Sequence, residues 1–194
     1  MIRKTSISDL DAVAELHHKS LDNSFLTLLG VDFLKVLHEG FVESDSTQTF
    51  VYCEDGVVRG LICGTNHPEG FLKKIFFPKL ARFSKIIFAK SLTNPKILMS
   101  CFETLLYSKK TDILEDAELL VIVVDEDFRG KGVGSKLLTR LLTEFSHKKT
   151  RKVKVIVDES NIYANRFYGK MGFNIEKSVK LYGKKMNVYS RTLT

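Results

Sequence analysis

The sequence V-D-E-D-F-R-G-K-G-V-G, residues Val124–Gly134, joins a predicted strand to a predicted helix. The run before it, Leu119–Val124, is short, apolar and rich in β-branched residues, which is typical of a strand buried on both faces. After it, apolar residues recur at helical spacing from Val133 to Phe145. The pattern therefore predicts a central strand, a tight glycine loop and an amphipathic helix in succession.

The glycines of this loop predict an anion-binding site. Gly130, Gly132 and Gly134 remove Cβ atoms where the helix begins, so another group can approach the backbone. The first amides of a helix lack internal partners and lie at the positive end of its dipole, where phosphate oxygens bind. Lys131 adds a positive charge. The loop is therefore expected to bind a polyphosphate ligand.

The glycine spacing excludes two common nucleotide motifs. A P-loop needs G-x-x-x-x-G-K-[ST] and a dinucleotide fingerprint needs G-x-G-x-x-G, whereas this loop reads G-x-G-x-G. Residues Arg129–Gly134 instead resemble the Arg/Gln-x-x-Gly-x-Gly/Ala signature of the GNAT superfamily of acyl-CoA-dependent N-acyltransferases. By this resemblance, the loop amides hold the pyrophosphate of coenzyme A.

A second segment resembles a later motif of the same superfamily. Residues 161–173 match N-x-x-A-x-x-F-Y-x-K-x-G-F at every specified position, and they follow a predicted strand, Val153–Val157. The resemblance implies that the Asn161 amide meets the pantetheine arm of coenzyme A, although asparagine also favours a helix N-cap. It implies that Tyr168 protonates the departing sulfur; the alternative is a tyrosine half-buried on an amphipathic helix.

The resemblance implies further site residues. Glu118, at the entrance to the central strand, is the expected general base, against the alternative of a solvated strand-end carboxylate. Backbone groups near Ile122 and Val123 are expected to bind pantetheine and polarise the thioester, and a bulge there would free them. The first helix and the following loop, Leu21–Gly30, are expected to border the acceptor cleft. The residues expected to contact acetyl-CoA are Ile122, Val123, Val124, Arg129, Gly130, Lys131, Gly132, Val133, Gly134, Ser135, Asn161, Ala164, Phe167, Tyr168 and Lys170.

The fold implied is a GNAT-type α/β domain, with a mixed, mostly antiparallel twisted sheet flanked by helices. The 194 residues suit a single domain. Ile2–Thr5 is expected to form the first strand, and Ser8 with Asp11 predicts a capping box for the first helix. Thr49–Cys53 and Val57–Gly64 predict a hairpin.

Residues 71–110 depart from the minimal superfamily plan as a helical insertion before the central strand. The segment is interrupted by Pro78 and Pro95, and its periodicity predicts short amphipathic helices with basic outer faces. The segment contains nine basic residues and one acid, Glu103, and this excess accounts for the net charge of +7. Three roles remain open: a wall or lid over the acceptor site, a contact with a second subunit, or a contact with an anionic membrane surface. Its charge favours an anionic acceptor.

The composition and the cysteines limit the cellular setting. No segment resembles a signal peptide, and no apolar run reaches the roughly 20 residues of a membrane span, so we expect a cytoplasmic protein without stable membrane insertion. Cys53, Cys63 and Cys101 match neither a disulfide framework nor a zinc site. The histidines form no metal-binding motif, so no metal is expected.

The sequence thus predicts an N-acetyltransferase that uses acetyl-CoA as co-substrate. The acceptor is expected to be a primary amine on a small molecule or peptide, attacking directly in a ternary complex; a homodimer is possible. One alternative is a non-catalytic coenzyme A binding or regulatory module. Another is a nucleic-acid-binding protein, but the basic cluster His147–Lys154 is better explained as a solvated helix end that complements the helix dipole.

Overall fold

The computed structural model describes residues 1–21, 24–105 and 116–193. Seven strands in these residues form one sheet in the order β1-β2-β3-β4-β5-β7-β6. All neighbouring strands are antiparallel except β4 and β5, so the predicted mixed, mostly antiparallel sheet is confirmed. The strands are β1 Ile2–Lys4, β2 Thr47–Glu54, β3 Val57–Thr65, β4 Ala117–Val124, β5 Lys152–Asp158, β6 Asn174–Leu181 and β7 Lys184–Thr192.

Helices cover both faces of the sheet, and each face has its own apolar cluster. The first cluster joins the sheet to α1, α3 and the helices of the insertion, and the second joins it to α7 and α8. The central strand β4 contributes to both clusters, as expected of a strand buried on both faces. The helices are α1 Leu10–Ser20, α2 Phe25–Leu28, α3 Val31–Glu43, α4 Phe71–Phe76, α5 Leu80–Thr93, α6 Lys96–Leu105, α7 Val133–His147 and α8 Ile162–Lys170.

The two parallel strands pair at one end only. Ala117–Leu119 of β4 pairs with Val153–Val155 of β5. Beyond Leu119, β4 continues to Val124 without pairing with β5 within the described residues, while β5 remains paired with β7. The two strands therefore diverge, and an opening lies between their carboxyl ends.

A bulge in β4 lies just where this opening begins. In the register with β3, Val121 lies opposite Cys63 while Leu119 lies opposite Gly64. Leu120 is therefore the extra residue on β4, and the strand changes which face its side chains occupy at this point.

The bulge was expected near Ile122 and Val123, and it lies just before them, at Leu120. Both pair regularly with β3. The bulge lies opposite Gly64, where the packing is close: a methyl group at that position would lie 2.9 Å from the Glu118 carbonyl oxygen and 2.8 Å from the Phe145 ring. The bulge at Leu120 thus coincides with the close contacts around Gly64, a residue distant in the sequence.

The helix start at the amino terminus also differs from the prediction. The capping box uses Ser6 and Asp9 in place of Ser8 and Asp11, and the Ser6 amide donates to the Asp9 carboxylate at 2.8 Å. Arg3 of β1 donates to the same carboxylate at 2.6 and 2.7 Å and holds its pKa well below the usual value. This bidentate ion pair with Arg3 explains why Asp9, and not Asp11, takes part in the capping box.

The insertion is helical as predicted from Phe71 to Leu105; residues 106–110 lie outside the described residues. It docks closely on α3, since a methyl group on Gly40 would lie 2.6 Å from Ile75 Cγ2. The outer face of α5 was expected to be basic, but it also carries exposed apolar side chains. Phe88 and Leu92 are 69% and 75% exposed on it.

The three cysteines are free thiols: Cys53 and Cys63 are buried, and Cys101 is partly exposed. Burial raises the pKa of Cys63 and Cys101, which disfavours their thiolate forms. Among the described residues, no cluster of three or more His, Cys, Asp or Glu side chains has an arrangement suited to a metal ion. No helix in the described ranges is long and apolar enough to cross a membrane.

Candidate active site

The glycine loop presents an open backbone surface at the start of α7. Gly130 and Gly132 have φ angles of 76° and 79°, a left-handed conformation that favours glycine. Gly132 is the N-cap of α7, and a Cβ atom on either glycine would meet nothing within 4 Å. Both lie on the exposed surface with Arg129 and Lys131. The loop therefore combines accessible helix-terminal amides with two cationic side chains.

Aromatic and backbone contacts position these cations. The Lys131 ammonium lies 4.9 Å from the centre of the Phe128 ring, and the Arg59 guanidinium lies 5.1 Å from the same ring. Arg129 Nε donates to the Val124 carbonyl at 3.2 Å, which ties the loop to the end of β4. Arg59 was not predicted as a neighbour of the loop because it comes from β3, far away in the sequence.

The two sequence motifs meet beside the end of β4. A methyl group on Gly134 would lie 3.6 Å from the Phe167 ring and 3.8 Å from Val124 Cγ2. Val133 points into the core, where a methyl group on Gly60 would lie 3.2 Å from it. Val133 can therefore offer a ligand only its backbone. The loop, α8 and the opening between β4 and β5 converge at this point.

The first turn of α8 is capped by Asn161. Its side-chain oxygen accepts the Ala164 amide at 3.0 Å, so the N-cap alternative is confirmed. Ala164 and Phe167 are partly buried against the second apolar cluster, whereas Lys170 is exposed in the last turn. The contact of the Asn161 amide with pantetheine stays a prediction.

Tyr168 lies in an aromatic cluster and is buried, not half-buried as the alternative supposed. Its ring centre lies 5.2 Å from that of Phe167, 5.6 Å from Phe173 and 6.1 Å from Tyr189. Burial raises the pKa of the phenol, so it stays protonated at neutral pH. Within the described residues, its hydroxyl makes no hydrogen bond.

Asn165 orients α8 and was missed in the sequence. Its amide nitrogen donates to the backbone oxygens of Asp158, at 2.9 Å, and Asn161, at 2.7 Å. Its side-chain oxygen accepts from Asn187 and the Tyr189 hydroxyl, both at 2.9 Å. This network fixes α8 to β5 and β7. The motif does not specify the residue at position 165. The only sequence signal for Asn165 was a polar residue on the inward-facing side of the predicted helix.

Glu118 is 3% exposed and lies beside Lys154, which is 5% exposed. The Lys154 ammonium is 3.5 Å from the Glu118 carboxylate. Thr65, Glu118 and Lys154 are direct neighbours across β3, β4 and β5. Because the adjacent Ala117 and Leu119 face α7, Glu118 faces the α1 and α3 side of the sheet. Glu118 is therefore not a solvated strand-end carboxylate, and Lys154 is not part of a solvated basic cluster.

The turn between β6 and β7 meets the insertion on the described surface. Tyr182 stacks on Phe25 with ring centres 5.4 Å apart, and its hydroxyl lies 2.9 Å from the Thr104 hydroxyl. The Tyr182 amide donates to the Glu103 carboxylate at 2.7 Å. α2, α6 and the β6–β7 turn are thereby joined. Of the expected cleft border Leu21–Gly30, residues 22 and 23 lie outside the described residues.

Comparisons with known proteins agree with this arrangement. The model of the Acetyltransferase (GNAT) family matches residues 104–173. An uncharacterized N-acetyltransferase of Methanocaldococcus jannaschii is 39% identical over 67 residues, which are 34% of this chain and 29% of that protein. The spermine/spermidine N(1)-acetyltransferase of Bacillus subtilis is 32% identical over 66 residues, 34% of this chain and 43% of that protein. The chain thus spans less than half the length of these curated relatives.

The fold is shared with solved structures over the full chain. The PaiA N-acetyltransferase of Thermoplasma acidophilum, solved in complex with coenzyme A, superposes with a TM-score of 0.65 at 16% identity, covering 100% of this chain and 98% of that one. At 16% identity, this similarity shows a shared fold, in agreement with the sheet order. The chain has the GNAT fold, and its residues 104–173 match the GNAT family model.

Proposed function

We propose that the chain transfers an acetyl group from acetyl-CoA to a primary amine. The observation that carries this proposal is the divergence of β4 and β5 after Leu119, with the Gly130–Gly134 loop at the open end. An elongated thioester with a pyrophosphate group fits such a site. The phosphates can bind at the loop, and the arm can lie between the strands.

The coenzyme would be held mainly by backbone. The open amides of Gly130–Gly134 and the first residues of α7, including Ser135, face the pyrophosphate, with Arg129 and Lys131 supplying positive charge. The edge of β4 from Ile122 to Val124 has no β5 partner within the described residues, so its amides and carbonyls can bind the arm. From α8, we assign Asn161, Ala164, Phe167 and Lys170 to the other side of the ligand.

Glu118 is assigned as the general base. A primary ammonium with a pKa near 10.4 must lose a proton before its nitrogen can attack. In the proposed step, the amine nitrogen bonds to the thioester carbonyl carbon, and its proton passes to Glu118 directly or through water. The Lys154 ammonium lies 3.5 Å from this carboxylate and compensates part of its negative charge.

Tyr168 is assigned as the general acid. When the carbon–sulfur bond breaks, the electron pair stays on sulfur, and the thiolate takes the phenolic proton. The buried environment supports this role because it keeps the phenol protonated. Attack is direct, so no acyl-enzyme forms; Cys53 and Cys63 are buried away from solvent.

The acceptor is proposed to approach beside the wall formed by Phe25, Thr104 and Tyr182. Their contacts support the wall reading of the insertion, because α6 fixes the β6–β7 turn. The name of the Bacillus subtilis relative makes polyamines the first acceptors to test. Amino sugars, amino acids and peptide amino termini complete the panel. The free thiols suit a reducing compartment, so we propose a cytoplasmic location.

Thermal unfolding with and without acetyl-CoA tests the site. A ligand present at about 100 times its Kd should stabilise the native state by about 2.7 kcal/mol. Gly132→Glu should abolish the shift by placing a side chain and a negative charge in the loop. Gly70→Glu is the matched control, because Gly70 is also a helix N-cap, with φ 70° and ψ 1° against 79° and 2° for Gly132.

Release of free coenzyme A thiol with the acceptor panel then tests the reaction. Stabilisation by acetyl-CoA together with amine-dependent thiol release would support the proposal. Stabilisation without turnover on any amine would favour the non-catalytic coenzyme A module. No stabilisation in the wild-type chain would overturn the proposed function.

A further inference from the structure

We propose that the outward face of α5 docks on an anionic lipid surface. The helical spacing places Ala81, Lys85, Phe88 and Leu92 on one stripe, and all four are exposed. The opposite side of the same helix holds Phe83, which is buried against Phe33 at a ring distance of 5.0 Å. The helix thus has one apolar side in the core and, in solvent, a second stripe on which Phe88 and Leu92 are apolar and Lys85 is basic.

Other exposed apolar residues lie close to this stripe in the sequence. Phe77 and Leu80 precede it, and Leu98 and Met99 follow it at the start of α6. These four residues, with Phe88 and Leu92, are six of the thirteen large apolar side chains that are exposed in the described residues, and they fall within 23 consecutive positions. This concentration of exposed apolar side chains in one helical segment supports an interaction surface there.

The charge of the same segment indicates the kind of partner. From Phe71 to Leu105 there are seven lysines and arginines and one acid, Glu103. Lys79 and Arg82 are paired with glutamates of α3. The other five, Lys73, Lys74, Lys85, Lys90 and Lys96, make no ion pair within the described residues. The partner should therefore be anionic as well as able to accept apolar side chains.

An anionic bilayer meets both requirements. Its interface accepts leucine, methionine and phenylalanine side chains to a shallow depth, while phosphate headgroups attract the flanking lysines. A second copy of the chain would bring two basic faces together, which opposes association. A nucleic acid would satisfy the lysines but leave Phe88 and Leu92 in water.

The sequence contains no tryptophan, so a single introduced tryptophan reports on this face. In the full chain, Phe88→Trp should shift its emission to the blue with vesicles of phosphatidylcholine and phosphatidylglycerol, and not with phosphatidylcholine alone. Ile175→Trp, at an exposed position on β6, should show no shift with either. Added salt should reverse the Phe88→Trp shift, since headgroup attraction is screened.

Co-sedimentation with the same vesicles measures the contributions of the two kinds of residue. Phe88→Ser combined with Leu92→Ser should weaken the partition at least about tenfold. Lys85→Gln should weaken it about fivefold. Ile175→Ser should leave it unchanged.

Several results would overturn the inference. These are equal binding to neutral and anionic vesicles, no binding to either, or an equal loss in Ile175→Ser. Sedimentation velocity showing a dimer that Phe88→Ser with Leu92→Ser dissociates would assign the face to a second copy. Binding to a duplex oligonucleotide that excludes the vesicles would assign the lysines to nucleic acid.

Discussion

Lys154 and Glu118 form a buried ion pair across the two parallel strands, with 3.5 Å between the ammonium and the carboxylate. The pair lies in the last paired segment of β4 and β5, directly before the strands diverge. Attraction between the charges offsets part of the cost of removing both from water. A charged group that is proposed to accept a proton is thereby held at the closed end of the opening.

Glu118→Gln should lower kcat by at least about a hundredfold, because the neutral amide cannot accept the amine proton. Stabilisation by acetyl-CoA should be unchanged, since the glycine loop is intact. Steady-state kinetics and thermal unfolding measure the two effects. Glu144→Gln, which removes a carboxylate paired with Arg140 on α7, is the control and should retain full activity. Normal turnover in Glu118→Gln would remove Glu118 as the base.

The pair also makes a prediction about stability. Lys154→Met removes the positive charge that lies 3.5 Å from the buried Glu118 carboxylate, which should cost about 3–5 kcal/mol of unfolding free energy. Adding Glu118→Gln should recover most of that loss. Urea unfolding of both single variants and the double variant gives the coupling energy. Simple additivity of the two losses would show that the charges do not interact.

The partnership of these residues shows the limit of local sequence patterns. Glu118 was expected as the base because it lies at the entrance to the central strand, where the resemblance to the superfamily implies a glutamate. Lys154 was assigned to a solvated basic cluster because neighbouring cations surround it in the sequence. Its position between the buried Val153 and Val155 was the available signal of a strand residue facing the opposite side. Only the register of β4 with β5 shows which carboxylate it meets.

Tyr168→Phe should lower kcat by about a hundredfold, because removal of the phenolic proton leaves the thiolate without its acid. The Kd for acetyl-CoA should change little, as the ring and its aromatic contacts remain. Tyr189→Phe is a close control: its ring lies 6.1 Å away, and its hydroxyl already binds Asn165. That variant should lose stability and keep turnover. If both variants retain kcat, another group protonates the sulfur.

The wall residues should affect the acceptor and not the coenzyme. Thr104→Val removes the hydroxyl that meets Tyr182 and loosens the β6–β7 turn, so the KM for the amine should rise severalfold at unchanged KM for acetyl-CoA. Thr93→Val, in which the lost hydroxyl is exposed and donates to the Lys90 carbonyl of its own helix, should have no effect. A parallel rise in the KM for acetyl-CoA would show that the wall borders the coenzyme instead.

The parts of the fold that depend on residues close in the sequence were predictable. Contacts between elements that are far apart in the sequence were less so. The strand, glycine loop and helix around Gly130 follow from composition and spacing within about 30 residues, the length of one strand-helix unit. The wall at Tyr182 depends on contacts with Phe25 and Thr104 that no local pattern encodes. The bulge at Leu120 likewise depends on close packing at Gly64.

A buried histidine pair makes stability depend on pH. His17 Nδ1 and His38 Nε2 are 2.9 Å apart between α1 and α3. Burial, together with the neighbouring His18, lowers the pKa of His17 from 6.5 to about 4, and burial lowers that of His38 as well. Between pH 6.5 and about 4, the unfolded chain therefore binds more protons than the folded chain. Stability is complete above pH 6.5 and is lost as the pH falls through 4.

For His17 alone the loss amounts to about 3 kcal/mol over that interval. Urea unfolding at a series of pH values should show this decline in the wild type. Replacing both rings, with His17→Leu and His38→Leu, should flatten it, since no buried imidazole then remains to be protonated. His147→Gln changes an exposed histidine and should leave the slope unaltered. An equally steep decline in the double variant would assign the acid sensitivity to carboxylates.

Gly64 should be intolerant of any side chain because its surroundings cannot move apart. Its added methyl group would meet the Glu118 carbonyl at 2.9 Å and the Phe145 ring at 2.8 Å, so Gly64→Ala should cost about 1–3 kcal/mol. Gly169→Ala provides the contrast: no atom lies within 4 Å of its Cβ position, and it lies in a helix, so it should gain about 0.5–1 kcal/mol. Chemical denaturation measures both. Since Gly64 lies opposite the bulge, its variant should also lower acetyl-CoA affinity, whereas equal effects of the two substitutions would show that the bulge does not depend on this packing.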